Sequence, residues 1–263
     1  MSRLCWGSGD SASPVMHKLV ILLAVLLSSC NAPQDSPATL HVAAASNLAR
    51  LFPALARSCQ RATGLTLVPS FGATAMLSQQ IENGGPFDLF LAADTEHTAA
   101  LSKGGHVLPD SVHIYAQGRL VLFAPRRPGI RSLDDLRRTD VRKIAIANPE
   151  LAPYGRASVE ALQALHLWKS VEPKVIYGQN ISAVLQFVDS SNVDAAFTAL
   201  ALVKDRAGNI IQVPPQLHRP IDQAFAIPRS STKLEGARRA AQWMLSAEAQ
   251  TLFKNAGYGT APQ

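Results

Sequence analysis

The chain has 263 residues, 47% of them hydrophobic and 6% aromatic, with 25 Lys and Arg against 19 Asp and Glu for a formal net charge of +6. That length allows one large domain or two lobes and ample chain for a buried core. The basic pairs Arg126-Arg127, Arg137-Arg138 and Arg238-Arg239 are scattered and lack interleaved aromatics. This argues against nucleic acid as a partner and leaves a mildly positive field toward small anions.

The first segment reads as a leader. Met16, His17 and Lys18 precede the apolar run LVILLAVLLSSC, a basic region followed by a hydrophobic one too short to span a bilayer comfortably. Residues 1–15 read as an upstream extension, with Met16 the start. The run ends in Leu27-Ser28-Ser29-Cys30, which resembles the bacterial lipobox; that resemblance implies removal of residues 1–29 and lipidation of Cys30. The competing reading is an ordinary signal peptide with an incidental cysteine. Loss of residues 1–29 removes Arg3 and Lys18 against Asp10, leaving +5. Residues 30–38 are polar and Pro-rich, a tether to the membrane.

Of the cysteines, Cys5 lies upstream, Cys30 is the lipid site, and Cys59 alone belongs to the body. An internal disulfide is therefore excluded. Cys59 falls within an apolar-periodic helix and reads as a small buried hydrophobe.

From residue 39 onward, short apolar runs alternate with helix-period segments, the signature of an α/β protein with largely parallel sheets. The predicted strands are LHVAAA (40–45), LTLVPS (65–70), DLFLAA (88–93), LVLFA (120–124), KIAIA (143–147), VDAAFTA (193–199), IIQVP (210–214) and QAFAIP (223–228). Helices are predicted at about 48–62, 75–83, 95–103, 156–166, 181–189 and 233–255. A new βαβ series starts at HIYAQGRLVLF and ends at QLHRPIDQAFAIP. The chain then crosses twice between lobe I (39–116 with 219–263) and lobe II (117–218). The final helix pair, with Trp243, Met244, Leu252 and Phe253 on its apolar face, is expected to return to lobe I.

Open α/β sheets bind ligands where strands hand over to helices, and four such switches carry suggestive residues. Ser46 and Asn47 form the first, and Gly72 with Thr74 the second. Pro153, Tyr154 and Gly155 form the third, and Asn180 with Ile181 the fourth. Each taken alone is an ordinary helix cap or turn. Together they offer free helix amides to an anion.

These switches resemble those of the periplasmic molybdate-binding proteins of ABC transporters, in AAASN, SFGATAMLSQQIENGGPFDLFLAAD, NPELAPYG and GQNISAVLQFV. The likeness spans about residues 39–259. It implies a two-lobed periplasmic binding protein fold with the ligand in the cleft, each lobe a mostly parallel sheet flanked by helices. In that family a tetrahedral oxyanion is held by hydroxyls and backbone amides without a cationic side chain. The positions that match are Ser46, Thr74, Tyr154 and Ile181, the last through its backbone amide. One branch adds an asparagine beside the first serine and a tyrosine before the third helix, matched here by Asn47 and Tyr154. The other branch places a tyrosine where this chain has Ala199, so no ligand is carried over there.

The resemblance further implies a monomeric receptor that binds molybdate or tungstate, delivers it to an ABC permease, and sits in the periplasm or cell envelope. Molybdenum enters only as its oxyanion, with no protein–metal ligands and no cofactor. Asp88 and Asp94 read as loop or interface residues, and the scattered histidines lack metal-ligand spacing. Two alternatives stand beside this reading. One is a receptor for another oxyanion, such as sulfate or phosphate, although no acidic acceptor or arginine stands at the switches. The other is a two-lobed transferase-like enzyme, against which Ser46 lacks any motif that would activate a nucleophile.

Overall fold

Alternating buried runs and amphipathic segments resolve into ten strands and nine α-helices in the computed structural model, which describes residues 39–260. The expected leader, the lipidation site Cys30 and the tether lie outside the described residues. The chain begins with β1 (Thr39–Ala45), a 3-10 turn (Ser46–Leu48), α1 (Phe52–Thr63), β2 (Thr66–Gly72), α2 (Thr74–Glu82) and β3 (Leu89–Leu91). Next come α3 (Glu96–Lys103), β4 (His113–Gly118), β5 (Leu120–Ala124), β6 (Ile144–Ala147), α4 (Pro153–Ala164) and α5 (Trp168–Val171). Then follow β7 (Val175–Gly178), α6 (Ile181–Asp189), β8 (Ala195–Ala199), α7 (Leu200–Val203), β9 (Asn209–Gln212), β10 (Ile221–Ala226), α8 (Leu234–Met244) and α9 (Ala247–Ala256).

The strands form two five-stranded sheets, ordered β2-β1-β3-β10-β4 and β7-β6-β8-β5-β9. Each has a parallel core, β1 with β2 and β3 in one and β6 with β7 and β8 in the other. Each also holds one reversed strand, β10 in the first and β5 in the second. The reversed strands are those entered directly from the other sheet. Arg119 alone separates β4 from β5, and the chain returns between β9 and β10. A two-lobed α/β fold results, its sheets mixed rather than uniformly parallel.

The central strands are buried on both faces, as near-continuous apolar runs require. Leu40, Val42 to Ala45, and all of Leu120 to Ala124 are buried. Around the first sheet, α1, α8 and α9 contribute Leu55, Cys59, Ala240, Trp243, Met244 and Phe253 to one apolar cluster, with Leu252 packed on its edge. The last helix pair thus packs where the sequence placed it. Cys59 is a buried free thiol whose pKa is raised, chiefly by burial.

Several predicted boundaries shift for local reasons. The helix expected from residue 48 breaks into the Ser46–Leu48 turn and α1, because Pro53 lacks an N–H and favours a first helical turn. Gly64, with φ +73°, ends α1 by donating to Gln60 O at 2.8 Å. The helix expected over 233–255 is two, divided where Ser246 caps α9 by accepting from Ala249 N–H at 3.3 Å. Strands β4 and β7 were not among the predicted ones; β7 is a four-residue edge strand whose Tyr177 is exposed, so its apolar signal is weak. No helix among the described residues is long and apolar enough to cross a membrane.

Candidate oxyanion site

The four switches meet. Ser46 and Asn47 follow β1, Thr74 opens α2 after β2, Tyr154 opens α4 after β6, and Ile181 opens α6 after β7. All five residues line one cavity between the two sheets, together with Gly72, Ala93, Pro153 and Asn180. Each of the five is at most 4% exposed. The free space of the cavity is about 10 Å³, room for about one water molecule. A sugar or nucleotide is far too large for it.

The donors can be read one at a time. Thr74 Oγ1 accepts from Ala93 N–H at 3.1 Å, which leaves its own proton free. Ser46 Oγ donates to Gly72 O at 3.0 Å, so its proton must leave that carbonyl to reach a ligand. At the fourth switch, Asn180 Oδ1 accepts from Ser182 N–H and Ala183 N–H at 2.9 and 3.0 Å. The cap therefore satisfies the second and third amides of α6 and leaves that of Ile181. The backbone N–H groups of Asn47, Thr74, Tyr154 and Ile181 have no protein acceptor among the described residues. At the second switch, by contrast, Ala75 N–H is taken by Leu151 O at 3.1 Å, across the cleft.

No charged side chain lines the cavity. Its positive potential comes instead from the N-termini of α2, α4 and α6, each equivalent to roughly half an elementary charge at the helix end. The Tyr154 phenol is fully buried, and burial, helped by the neighbouring Tyr258, raises its pKa well above the usual tyrosine value. It remains a protonated donor throughout the neutral range. An arrangement of neutral donors replaces hydration around an anion without a countercharge, which makes selection depend on fit.

Close backbone approach is built in. A Cβ at position 155 would lie 2.0 Å from Ala147 O, so Gly155 lets the first turn of α4 sit against the end of β6. A Cβ at position 118 would lie 2.3 Å from the Tyr154 hydroxyl. Gly118 thereby makes room for the phenol over β4.

Behind the cavity lies a polar cluster that sequence reasoning missed. Gln223, fully buried on β10, accepts at Oε1 from Asn47 Nδ2 and lies within 2.9 Å of the Tyr115 hydroxyl. Its Nε2 donates to the Tyr154 hydroxyl oxygen at 3.1 Å. Asn47 Nδ2 also donates to Tyr258, whose hydroxyl in turn donates to Asn47 O. Both amide hydrogens of Asn47 are therefore committed, and the group it presents to the cavity is its backbone N–H. The one legible sign was a glutamine within the apolar strand QAFAIP.

Other singled-out residues stand apart from the cavity. Asp88 accepts from His41 N–H and Ser231 Oγ, both at 2.8 Å, and Asp94 holds His97 through its N–H and Nδ1. Both aspartates fix loops. Ala199 is buried at the start of α7 and does not line the cavity. Among the described residues no group of three or more His, Cys, Asp or Glu is placed to hold a metal ion.

The chain is similar to several known proteins. The molybdate-binding protein ModA of Azotobacter vinelandii is 33% identical over 252 residues, covering 93% of this chain and 98% of that one. Its counterpart from Rhodobacter capsulatus is 30% identical over 199 residues, covering 75% and 79%. The solved structure of the Azotobacter vinelandii periplasmic molybdate-binding protein superposes with a TM-score of 0.81 at 30% identity, over 85% of this chain and all of that one. A sulfate-binding protein from Mycobacterium tuberculosis, 17% identical with a TM-score of 0.72, shares the fold. The family described as bacterial extracellular solute-binding protein matches residues 40–259, nearly the whole described body, and the chain belongs to that family.

Proposed function

We propose that this chain is an extracytoplasmic receptor that closes on molybdate or tungstate and presents it to an ABC importer. The observation that carries the proposal is the cavity itself, uncharged and walled by donors from both sheets at helix N-termini. Ser46, Asn47, Thr74, Tyr154 and Ile181 are its ligand-binding residues. The two relatives of at least 30% identity that bear the name molybdate-binding protein support the choice of anion. Lobe I (39–116 with 219–263) and lobe II (117–218) act as the moving bodies, since a ligand held by both favours the closed form.

The role is binding and delivery without catalysis. Ser46 Oγ faces the Gly72 carbonyl, which takes a proton's direction but removes none. Lipidation at Cys30 would hold the receptor at the cell envelope with a periplasmic body, acting as a monomer. Cys30→Ser should release it from the membrane fraction and leave oxyanion affinity unchanged. Isothermal titration of the purified mature chain tests the central proposal: molybdate and tungstate are expected to bind far more tightly than sulfate or phosphate.

A further inference from the structure

Helix α2 has no cap of its own. Ala73 stands at its N-cap and makes no side-chain hydrogen bond, alanine being among the poorest residues for that place. Helix α6, by contrast, carries Asn180 there, whose Oδ1 satisfies two amides. The acceptor that α2 lacks comes from the other sheet's side of the cleft. Ala75 N–H, the second amide of the helix, donates to Leu151 O at 3.1 Å, and Leu151 lies in the turn between β6 and α4.

One residue builds that turn. In Asn148-Pro149-Glu150-Leu151 the asparagine and proline stand first and second, where β-turns favour them. The Asn148 carbonyl accepts from Leu151 N–H at 3.0 Å and from Ala152 N–H at 2.9 Å. Its Oδ1 accepts from Glu150 N–H at 3.0 Å. Asn148 N–H donates to Gly178 O at 2.8 Å, which pins the turn to the end of β7. Helix α4 makes no use of Leu151 O, because Gly155 N–H and Arg156 N–H both go to Ala152 O. The Leu151 carbonyl is thus held in place and left for α2.

We infer that Leu151 O is the cap of α2, made when the cleft closes, and that Asn148 is the positioning residue that holds it there. The inference rests on the oxyanion reading proposed above, in which the two sheets move as lobes. Ala75 and Leu151 are both partly exposed, so water takes the place of either partner when the lobes part. The bond therefore adds to the closed form alone. It also divides the start of the helix. Ala75 N–H is taken by protein, while the Thr74 amide and hydroxyl proton remain for the anion. Thr74 and Ala152 line the cavity and their neighbours Ala75 and Leu151 do not, so the clasp joins the lobes beside the ligand.

The test is amide hydrogen exchange of the whole mature chain, followed residue by residue by NMR with and without saturating molybdate. Ala75 N–H should be protected only with molybdate, whereas Leu77 N–H, bonded to Ala73 O within α2 at 3.0 Å, should be protected in both states. Asn148→Ala removes the acceptor for Glu150 N–H. It is expected to lower Ala75 protection in the bound state and to speed molybdate release in stopped flow, each by about 3- to 10-fold, the scale of one net hydrogen bond. Asn148→Asp keeps the acceptor and should restore Ala75 protection. Should Asn148→Ala fail to fold, Asn148→Ser, with its weaker acceptor, takes its place. Ala75 exchange that ignores molybdate would overturn the clasp. A variant that melts earlier yet keeps wild-type Ala75 protection and release would make Asn148 merely structural and overturn its positioning role. Failure of the unaltered chain to bind molybdate would instead overturn the oxyanion reading itself.

Discussion

Tyr258 and Asn47, 211 residues apart in sequence, exchange two hydrogen bonds: the phenol donates to the Asn47 carbonyl at 2.9 Å and accepts from its Nδ2 at 3.0 Å. This pair fastens the end of the chain to the turn after β1. Tyr258→Phe keeps the ring in its edge contact with Phe253 but leaves the carbonyl and one amide hydrogen buried and unpaired. A loss of about 2 kcal/mol in unfolding free energy is expected, measurable by urea denaturation. A change below about 0.5 kcal/mol would show that the pair carries no weight.

Thr74 and Ser46 differ in what their hydroxyls are already doing. Thr74→Val removes a proton free to point at the ligand and also strips Ala93 N–H of its acceptor. Molybdate affinity should fall about 10- to 150-fold, the range of a charge-assisted hydrogen bond. Ser46→Ala should cost less, because the Ser46 proton must leave Gly72 O before it serves the anion. Titration of the two variants in parallel decides the order, and unchanged affinity in both would reduce these switches to helix caps.

Between α3 and α4, Glu96 is paired with Arg156 and, at 3.3 Å, with Arg219, which also holds Glu160 at 2.6 Å. About half of the Glu96 side chain is exposed, so screening limits the pair to roughly 0–1 kcal/mol. Glu96→Gln should therefore speed ligand release by no more than about fivefold, with the difference from wild type fading as salt rises. Stopped-flow release at low and high ionic strength would reveal a larger or salt-independent effect if the contact were instead part of the site.

His97 provides a pH signature outside the cavity. Its hydrogen bond to Asp94 raises the imidazole pKa above 6.5, burial opposing in part. The charged form is thus favoured in the folded state. Its contribution is complete below pH 6.5 and is lost as pH rises through the folded value. Melting temperature should decline over that interval in wild type and more weakly in His97→Gln, measured from pH 5.5 to 8.5.

The sequence carried the switches because each pairs a buried strand with a helix start, and both leave local marks. Ser46, Thr74, Tyr154 and Ile181 were legible on that ground, and the cavity brings all four together. Gln223, Tyr258 and Tyr115 were not, because their hydrogen bonds join residues up to 211 positions apart. No local spacing marks such a cluster. Strand direction was similarly hidden: β5 and β10 read as ordinary buried strands, and only the crossing between sheets reverses them. That Tyr258 and Gln223 take both amide hydrogens of Asn47 was equally hidden, since both partners lie far away in sequence.

The most direct measurement is a thermal-shift panel of oxyanions on the purified chain. Ligand at about 100 times its dissociation constant adds roughly 2.7 kcal/mol to stability, so micromolar molybdate and tungstate should each raise the melting temperature by several degrees. Sulfate and phosphate at the same concentrations should leave it unchanged. An equal rise with sulfate, or none with molybdate, would contradict the assignment of this cavity to molybdate and tungstate.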